Sequence, residues 1–218
     1  MEARRTCGAR PVQRRPGMFA DEVLIDALRS EVRGHVEKLD KQLKRARRGK
    51  LGGVHDARTL CRRLRSELDI LARTAAREKR SAGVISRVKR AERALSRARD
   101  LDVLRLDVDG YVKMNPSTEE GLDGLATLVA KKRRRAAREV ERVLTPRRRH
   151  KLVRSVERLA ADAESAAPTG LVAKPAPTLV RDFTHEEIWR RYDAVRAFET
   201  ALPGSEELLH KFRAACRR

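Results

Sequence analysis

Apolar residues recur along this chain at steps of three and four, the spacing that lines one side of an α-helix. From Phe19 to Arg48 the stripe is Leu28, Val32, Val36, Leu39, Leu43 and Ala46. Gly49, Gly52 and Gly53 interrupt it, and the spacing predicts a second helix from about Val54 to Arg77. Gly83 precedes a third, with Val84, Val88, Ala91, Leu95 and Ala98 as its stripe, which decays into the polar turn Asp109, Gly110 and Asn115-Pro116. A fourth is expected from about Ser117 to Leu144, with Ser117 or Thr118 as N-cap and Glu119 and Glu120 at its positive end. Thr145-Pro146 opens a fifth that carries on to about Glu164. Ser165 to Thr178 holds three prolines and a glycine without periodicity and reads as a linker. Beyond it, Phe183 to Glu199 reads as a sixth helix, Leu202-Pro203-Gly204 as a turn, and Ser205 to the end as a seventh, capped by Ser205 with Glu206 and Glu207 in its first turn.

Composition agrees with an all-α fold. Ala, Leu, Arg and Glu dominate, only 3% of residues are aromatic and β-branched runs are missing, which excludes a β-sandwich or barrel. With 40% hydrophobic residues in 218, the chain can fill a core. Nothing approaches the roughly eighteen uninterrupted apolar residues of a membrane span. Residues 1–17 are Arg-rich without an apolar segment, so they read as a disordered basic tail rather than a secretory signal. The expected organisation is that tail, a helical bundle over 18–164, the linker 165–178 and a further helical segment over 179–218. Cys7, Cys61 and Cys216 lack metal-ligand spacing and suit a reducing cytoplasm, with Cys61 and Cys216 expected as small buried hydrophobes.

Charge changes the picture most. Fifty-two Lys and Arg against 31 Asp and Glu leave a net charge of +21, a surplus that calls for an anionic partner. A repeat locates it. VHDARTLCRR at Val54–Arg63 and LHKFRAACRR at Leu209–Arg218 share five identical positions at one spacing: His55/His210, Arg58/Arg213, Cys61/Cys216, Arg62/Arg217 and Arg63/Arg218. An internal duplication follows. At about 100° per residue, Arg58, Arg62 and Arg65 fall within roughly 80° of His55, while Ala57, Leu60, Leu64, Leu68 and Leu71 gather on the opposite side. His55 therefore shares a face with arginines. A solvated exterior is the ordinary reading of such a face, but here the face bears almost no alternating acid for i,i+4 pairing until Asp69, and it recurs with its histidine in register.

Other helices carry weaker versions. Lys131, Arg135, Arg138 and Arg142 line one side of the fourth helix opposite Val129, Ala136, Val140 and Val143, with Glu139 and Glu141 compensating in part. Lys89, Arg90, Arg93 and Arg97 oppose the apolar stripe of the third, and Arg147 to His150 sit unfavourably at a helix start. In each case a solvated surface is an equal reading.

The segments VHDARTLCRRLRSELDIL, ARDLDVL and LLHKFRAACRR resemble the CHAD family of histidine-containing α-helical domains, over about Phe19 to Arg218. The resemblance implies two helical repeats forming pseudo-symmetric bundles around a basic cleft that binds inorganic polyphosphate. It assigns that role to His55, Arg58, Arg62, Arg63 and Arg65 in the first copy and to His210, Arg213, Arg217 and Arg218 in the second. Arg99, Asp100 and Asp102 match a segment expected to pair with arginines structurally. Nothing after Arg218 matches the LRSELDIL that continues the first copy, so the second bundle is expected to be incomplete, with exposed apolar surface that invites self-association.

The functional expectation is non-catalytic binding of inorganic polyphosphate in the cytoplasm, in association with polyphosphate granules, without cofactor or metal. Lys131, Arg135 and Arg138 are included as a second basic wall. Non-specific nucleic-acid binding is the alternative that the charge alone supports, against which stands the lack of stacking aromatics near the basic runs, since Trp189, Tyr192 and Phe198 are expected in a core. No Walker loop, acidic cluster or ExExK pattern points to an enzyme, and His55 as a phospho-acceptor, the minor alternative, lacks an orienting acid.

Overall fold

The computed structural model describes residues 19–74, 78–162, 178–198 and 206–216. Among them are seven α-helices and no strand beyond an isolated antiparallel bridge between Val23 and Leu179. The chain is all-α as expected; these helices do not by themselves show the duplication. The basic segment 1–17 with Cys7, the Pro-rich segment 165–177, the turn 202–204 and the Ser205 cap lie outside the described residues. The chain divides into two compact units, Ile25–Pro177 and a second made of the residues up to Leu24 and from Thr178 onwards.

The larger unit is built from α1 (Leu24–Arg47), α2 (Leu51–Thr74), α3 (Glu78–Met114), α4 (Glu119–Val143) and α5 (Pro146–Asp162). The stripes predicted for α1, α2 and α3 meet in one core, in which Leu39, Leu43, Leu64, Leu68, Val88, Leu95 and Val156 are inaccessible to solvent. Each such side chain contributes about 1.5–3 kcal/mol.

Gly49 ends α1. Its φ of +72° is left-handed, and its N–H donates to the Ala46 carbonyl (2.9 Å) while that of Lys50 donates to Arg45 (3.1 Å), the paired bonds of a glycine C-cap. Gly52 and Gly53, expected outside α2, lie within it. A Cβ on Gly53 would sit 2.5 Å from Arg45 Cβ and 2.8 Å from the Ala46 nitrogen, so glycine is there to let α2 pass closely against the end of α1.

The third helix also departs from expectation. It runs unbroken for 37 residues, about 55 Å, through Gly83 and Gly110. A helical glycine costs about 1 kcal/mol, and packing on either side outweighs it: Val84, Ile85 and Val88 enter the core after Gly83, and Val108 is buried just before Gly110. The far half of α3 pairs with α4 through Asp102 and Arg133, whose Nη2 donates to Oδ2 at 3.3 Å. Asp102 is 4% exposed, so the Arg-pairing role expected for it is the one it has. A short 3-10 turn, Pro116–Thr118, leads into α4. The N–H of Arg148 donates to Thr145 Oγ1 (3.4 Å) at the start of α5, whose Leu152, Val156, Leu159 and Ala160 are buried. Arg149 Nε donates to Asp40 Oδ1 at 2.7 Å, and Arg29 Nε to the Ala160 carbonyl at 3.2 Å, fastening α5 to α1.

The smaller unit holds α6 (Val180–Arg196) and α7 (Glu206–Cys216). The N–H of Leu24 donates to the Thr178 carbonyl (2.9 Å) and that of Val180 to Glu22 (3.0 Å), and Arg181 pairs with Asp21. None of the α6 residues is buried, which overturns the expectation that its aromatics form a core: Trp189 is 54% and Tyr192 47% exposed. The reason is angular. Phe183, Ile188, Trp189, Tyr192 and Val195 spread over about 240° of the helix, too wide for one partner to cover. Phe198, just past α6, is half-buried and meets Phe212 edge-on at 6.1 Å. Cys216 is exposed, not buried as expected, whereas Cys61 is buried.

Candidate functional site

Along α2 the two predicted faces separate. Ala57, Leu60, Leu64, Leu68 and Leu71 are buried, and His55, Arg62 and Arg63 are exposed. Arg62 and Arg63 make no ion pair among the described residues. Arg58 and Arg65 lean instead onto α3: Arg58 Nε donates to Ser96 Oγ at 3.1 Å, and Arg65 Nη1 pairs with Glu92 Oε2 at 2.8 Å. The first-copy residues thus form an open row bordered by two arginines that fasten it to the next helix. Behind the row, burial and then the nearby Glu92 carboxylate push the Cys61 thiol up to about 12, which leaves it unreactive.

Next to this row lies a groove of about 660 Å3 running from the last turns of α2 across α3. Its cations are Arg73, Lys89, Arg90, Arg93 and Arg97, and its acids are Asp69 and Glu139. The α3 residues are visible in the sequence as a row for which a solvated surface is an equal reading. Arg73 was missed, although eighteen residues at about 100° return it to the angle of His55. Glu139 enters the groove from α4. Hydrogen bonds from Arg142, two of 2.8 Å, hold its carboxyl below the usual range against the opposing pull of desolvation, and the charges of Arg142, Arg97 and Arg148 add to them.

The residues expected on α4 are not brought together with that groove. Lys131, Arg135 and Arg138 are exposed on α4, and none of the three lines it. His210 and Arg213 fall on α7, with side chains outside the described residues, as are Arg217 and Arg218.

One cluster was not anticipated. Glu31 and His35, four apart on α1, converge with Glu67 of α2, and their donor atoms lie within 4.8 Å of one another. This set could hold a metal ion. As it stands, His35 Nδ1 contacts Glu67 Oε1 at 2.8 Å and Nε2 lies 4.0 Å from Glu31, and the His35–Glu67 contact joins α1 to α2. The i,i+4 spacing of Glu31 and His35 was the available signal.

Chemically, the α2/α3 surface offers guanidinium and ammonium groups in rows, with a histidine and few acids. It can hold an anion with many oxygens through charge-assisted, bidentate hydrogen bonds. No described helix is long and apolar enough to cross a membrane. Comparison with known proteins places a model described as the CHAD domain on residues 31–218. No curated protein and no solved structure matches the chain.

Proposed function

Because this chain belongs to the CHAD family, a family of generally non-catalytic domains associated with polyphosphate binding, we propose that it binds inorganic polyphosphate on the exposed face shared by α2 and α3. The observation that carries the reading is the α2/α3 groove, where five cations face two acids beside the open His55, Arg62 and Arg63 row. A linear polyanion has a charge on every unit and a flexible backbone, and rows of cations at helical spacing suit it better than they suit a compact metabolite. His55 and Arg62 contact phosphate oxygens directly, while Arg58 and Arg65, held by Ser96 and Glu92, set the spacing between the helices. Lys131, Arg135 and Arg138 on α4 attract the polymer from outside the groove. The role of His210, Arg213, Arg217 and Arg218 is the same by their place in the repeat.

A second reading, non-specific nucleic-acid binding, is favoured by one observation: Trp189 and Tyr192 are exposed, and Arg196 lies over the Tyr192 ring at 5.6 Å from its centre. Competition of labelled long-chain polyphosphate against duplex DNA across a salt series separates the two. At about 0.15 M salt, where exposed charges are screened beyond roughly 8 Å, polyphosphate wins at equal phosphate concentration. DNA binding as tight or tighter there transfers the function to the second reading.

A further inference from the structure

The surface of α5 away from the core carries a second basic groove, of about 550 Å3, closed on its other side by α3. Arg147, Lys151, Arg154 and Arg158 recur along α5 at steps of four, three and four and lie within about 40° of Arg147. All four are exposed, and none makes an ion pair among the described residues. Arg87 of α3 and His150 complete the basic lining, and Asp162 is its one acid. The opposite flank of α5 is different. The cleft it forms with α1 contains Glu37, Asp40 and Glu157 beside Lys44 and Arg149, with His150 and Arg154 bordering both this cleft and the α3 groove, and Asp40 bonds both Lys44 and Arg149. Lys44 and Arg149 are therefore paired with an acid, whereas Arg147, Lys151, Arg154 and Arg158 are not, among the described residues. The first turn of α5 also has no acid, so Arg147 and Arg148 oppose the positive end of the helix.

Helix α3 joins this groove to the one beside α2. Arg87 lines the α5 groove and Arg90 the α2 groove. Residues three apart on a helix are surface neighbours, with Cβ atoms about 5–6 Å apart. The cations therefore run without a break from α2 over α3 to α5.

We propose that the α3/α5 groove is a second phosphate-binding subsite, and that one long polyphosphate chain passes over Arg90 and Arg87 to occupy both grooves. This rests on the polyphosphate reading of the α2/α3 face. The second subsite makes affinity depend on chain length, because a short oligophosphate fills one groove whereas a long chain gains the second contact at high effective concentration.

Lysine footprinting on the full chain tests this directly. Lys89 reports the α2/α3 groove, Lys151 the α3/α5 groove, and Lys113, exposed near the end of α3, lines neither. With an amine-acetylating reagent and long-chain polyphosphate at about 0.15 M salt, labelling of both Lys89 and Lys151 slows several-fold while that of Lys113 does not. Protection of Lys89 without Lys151 overturns the second subsite and leaves the first standing. Equal protection of all three lysines replaces both grooves with diffuse coating, and protection of none refutes the polyphosphate reading itself. As an independent check, Arg154→Gln combined with Arg158→Gln lowers affinity for long-chain polyphosphate several-fold but leaves tripolyphosphate binding at the α2/α3 groove, followed by Lys89 protection, unchanged. Wild-type affinity for the long chain in that variant contradicts the proposal.

Discussion

Helices α2 and α6 each present two adjacent arginines, Arg62-Arg63 and Arg190-Arg191, yet the two pairs live in different surroundings. On α6, Arg190 and Arg191 both converge on Glu187, with contacts of 2.7 and 2.8 Å, so one turn of helix gathers its own counter-charge. On α2 the positions one turn before are Arg58 and Thr59. The carboxylate one turn after Arg63, Glu67, is engaged by His35 of α1. The difference teaches that a count of cations does not locate a binding face. What matters is where the local acid is missing or committed elsewhere, and α2 adds a buried apolar side that fixes the direction of its open cations, which α6 lacks.

The packing half of this comparison has the largest expected effect. Leu64→Ala removes a fully buried side chain from α2 and lowers stability by roughly 2 to 5 kcal/mol in a urea melt. Trp189→Ala on the exposed face of α6 changes it by no more than about 0.5 kcal/mol. Comparable losses would mean that α6 is as firmly packed as α2. Next comes Asp102→Asn, which leaves the Arg133 guanidinium without its counter-charge in the α3–α4 contact and costs about 3 kcal/mol in the same assay. A neutral result would remove the ion pair from among the forces holding the far half of α3 to α4.

A smaller effect depends on pH. Desolvation raises the Asp40 carboxyl, but hydrogen bonds and charge from Lys44 and Arg149 outweigh it and hold the group below its ordinary value. A carboxylate depressed in this way adds stability at pH above about 4, the ordinary aspartate value, and loses it as pH falls through the lower folded value. Asp40 is about a third exposed, which limits the gain to about 1 kcal/mol. Asp40→Asn should therefore melt earlier than wild type at pH 7, with the gap closing in acid below the folded value. A gap that stays constant into strong acid would contradict the assignment.

These contrasts also show what the chain disclosed in advance. The two faces of α2 were legible because period and burial agree from Ala57 to Leu71. The unbroken course of α3 was not, since Gly83 and Gly110 carry the local marks of a stop and only contacts distant in sequence compensate them. Local spacing revealed the row Lys89, Arg93 and Arg97, but not that Arg73 and Asp69 of α2 stand across from it. The α3/α5 groove is a similar case: Arg147 to His150 were visible as a charged helix start, whereas Arg87, sixty residues earlier, joins them only through packing. The aromatics of α6 were misread because burial is a property of the neighbours a helix finds, and hydrophobicity by itself does not supply them.

The most direct test of the central claim removes equal charge from the two kinds of arginine. Arg62→Ala with Arg93→Ala takes two cations from the α2/α3 face, and Arg190→Ala with Arg191→Ala takes two from α6. Titration with long-chain polyphosphate across a salt series reads both. The α2/α3 variant should bind more weakly, with its log-log salt slope reduced by about one to two, by analogy with phosphate contacts in nucleic acids. The α6 variant should keep the wild-type affinity and slope. Equal losses in the two variants would mean that the polymer responds to net charge alone, and would contradict a binding face on α2 and α3.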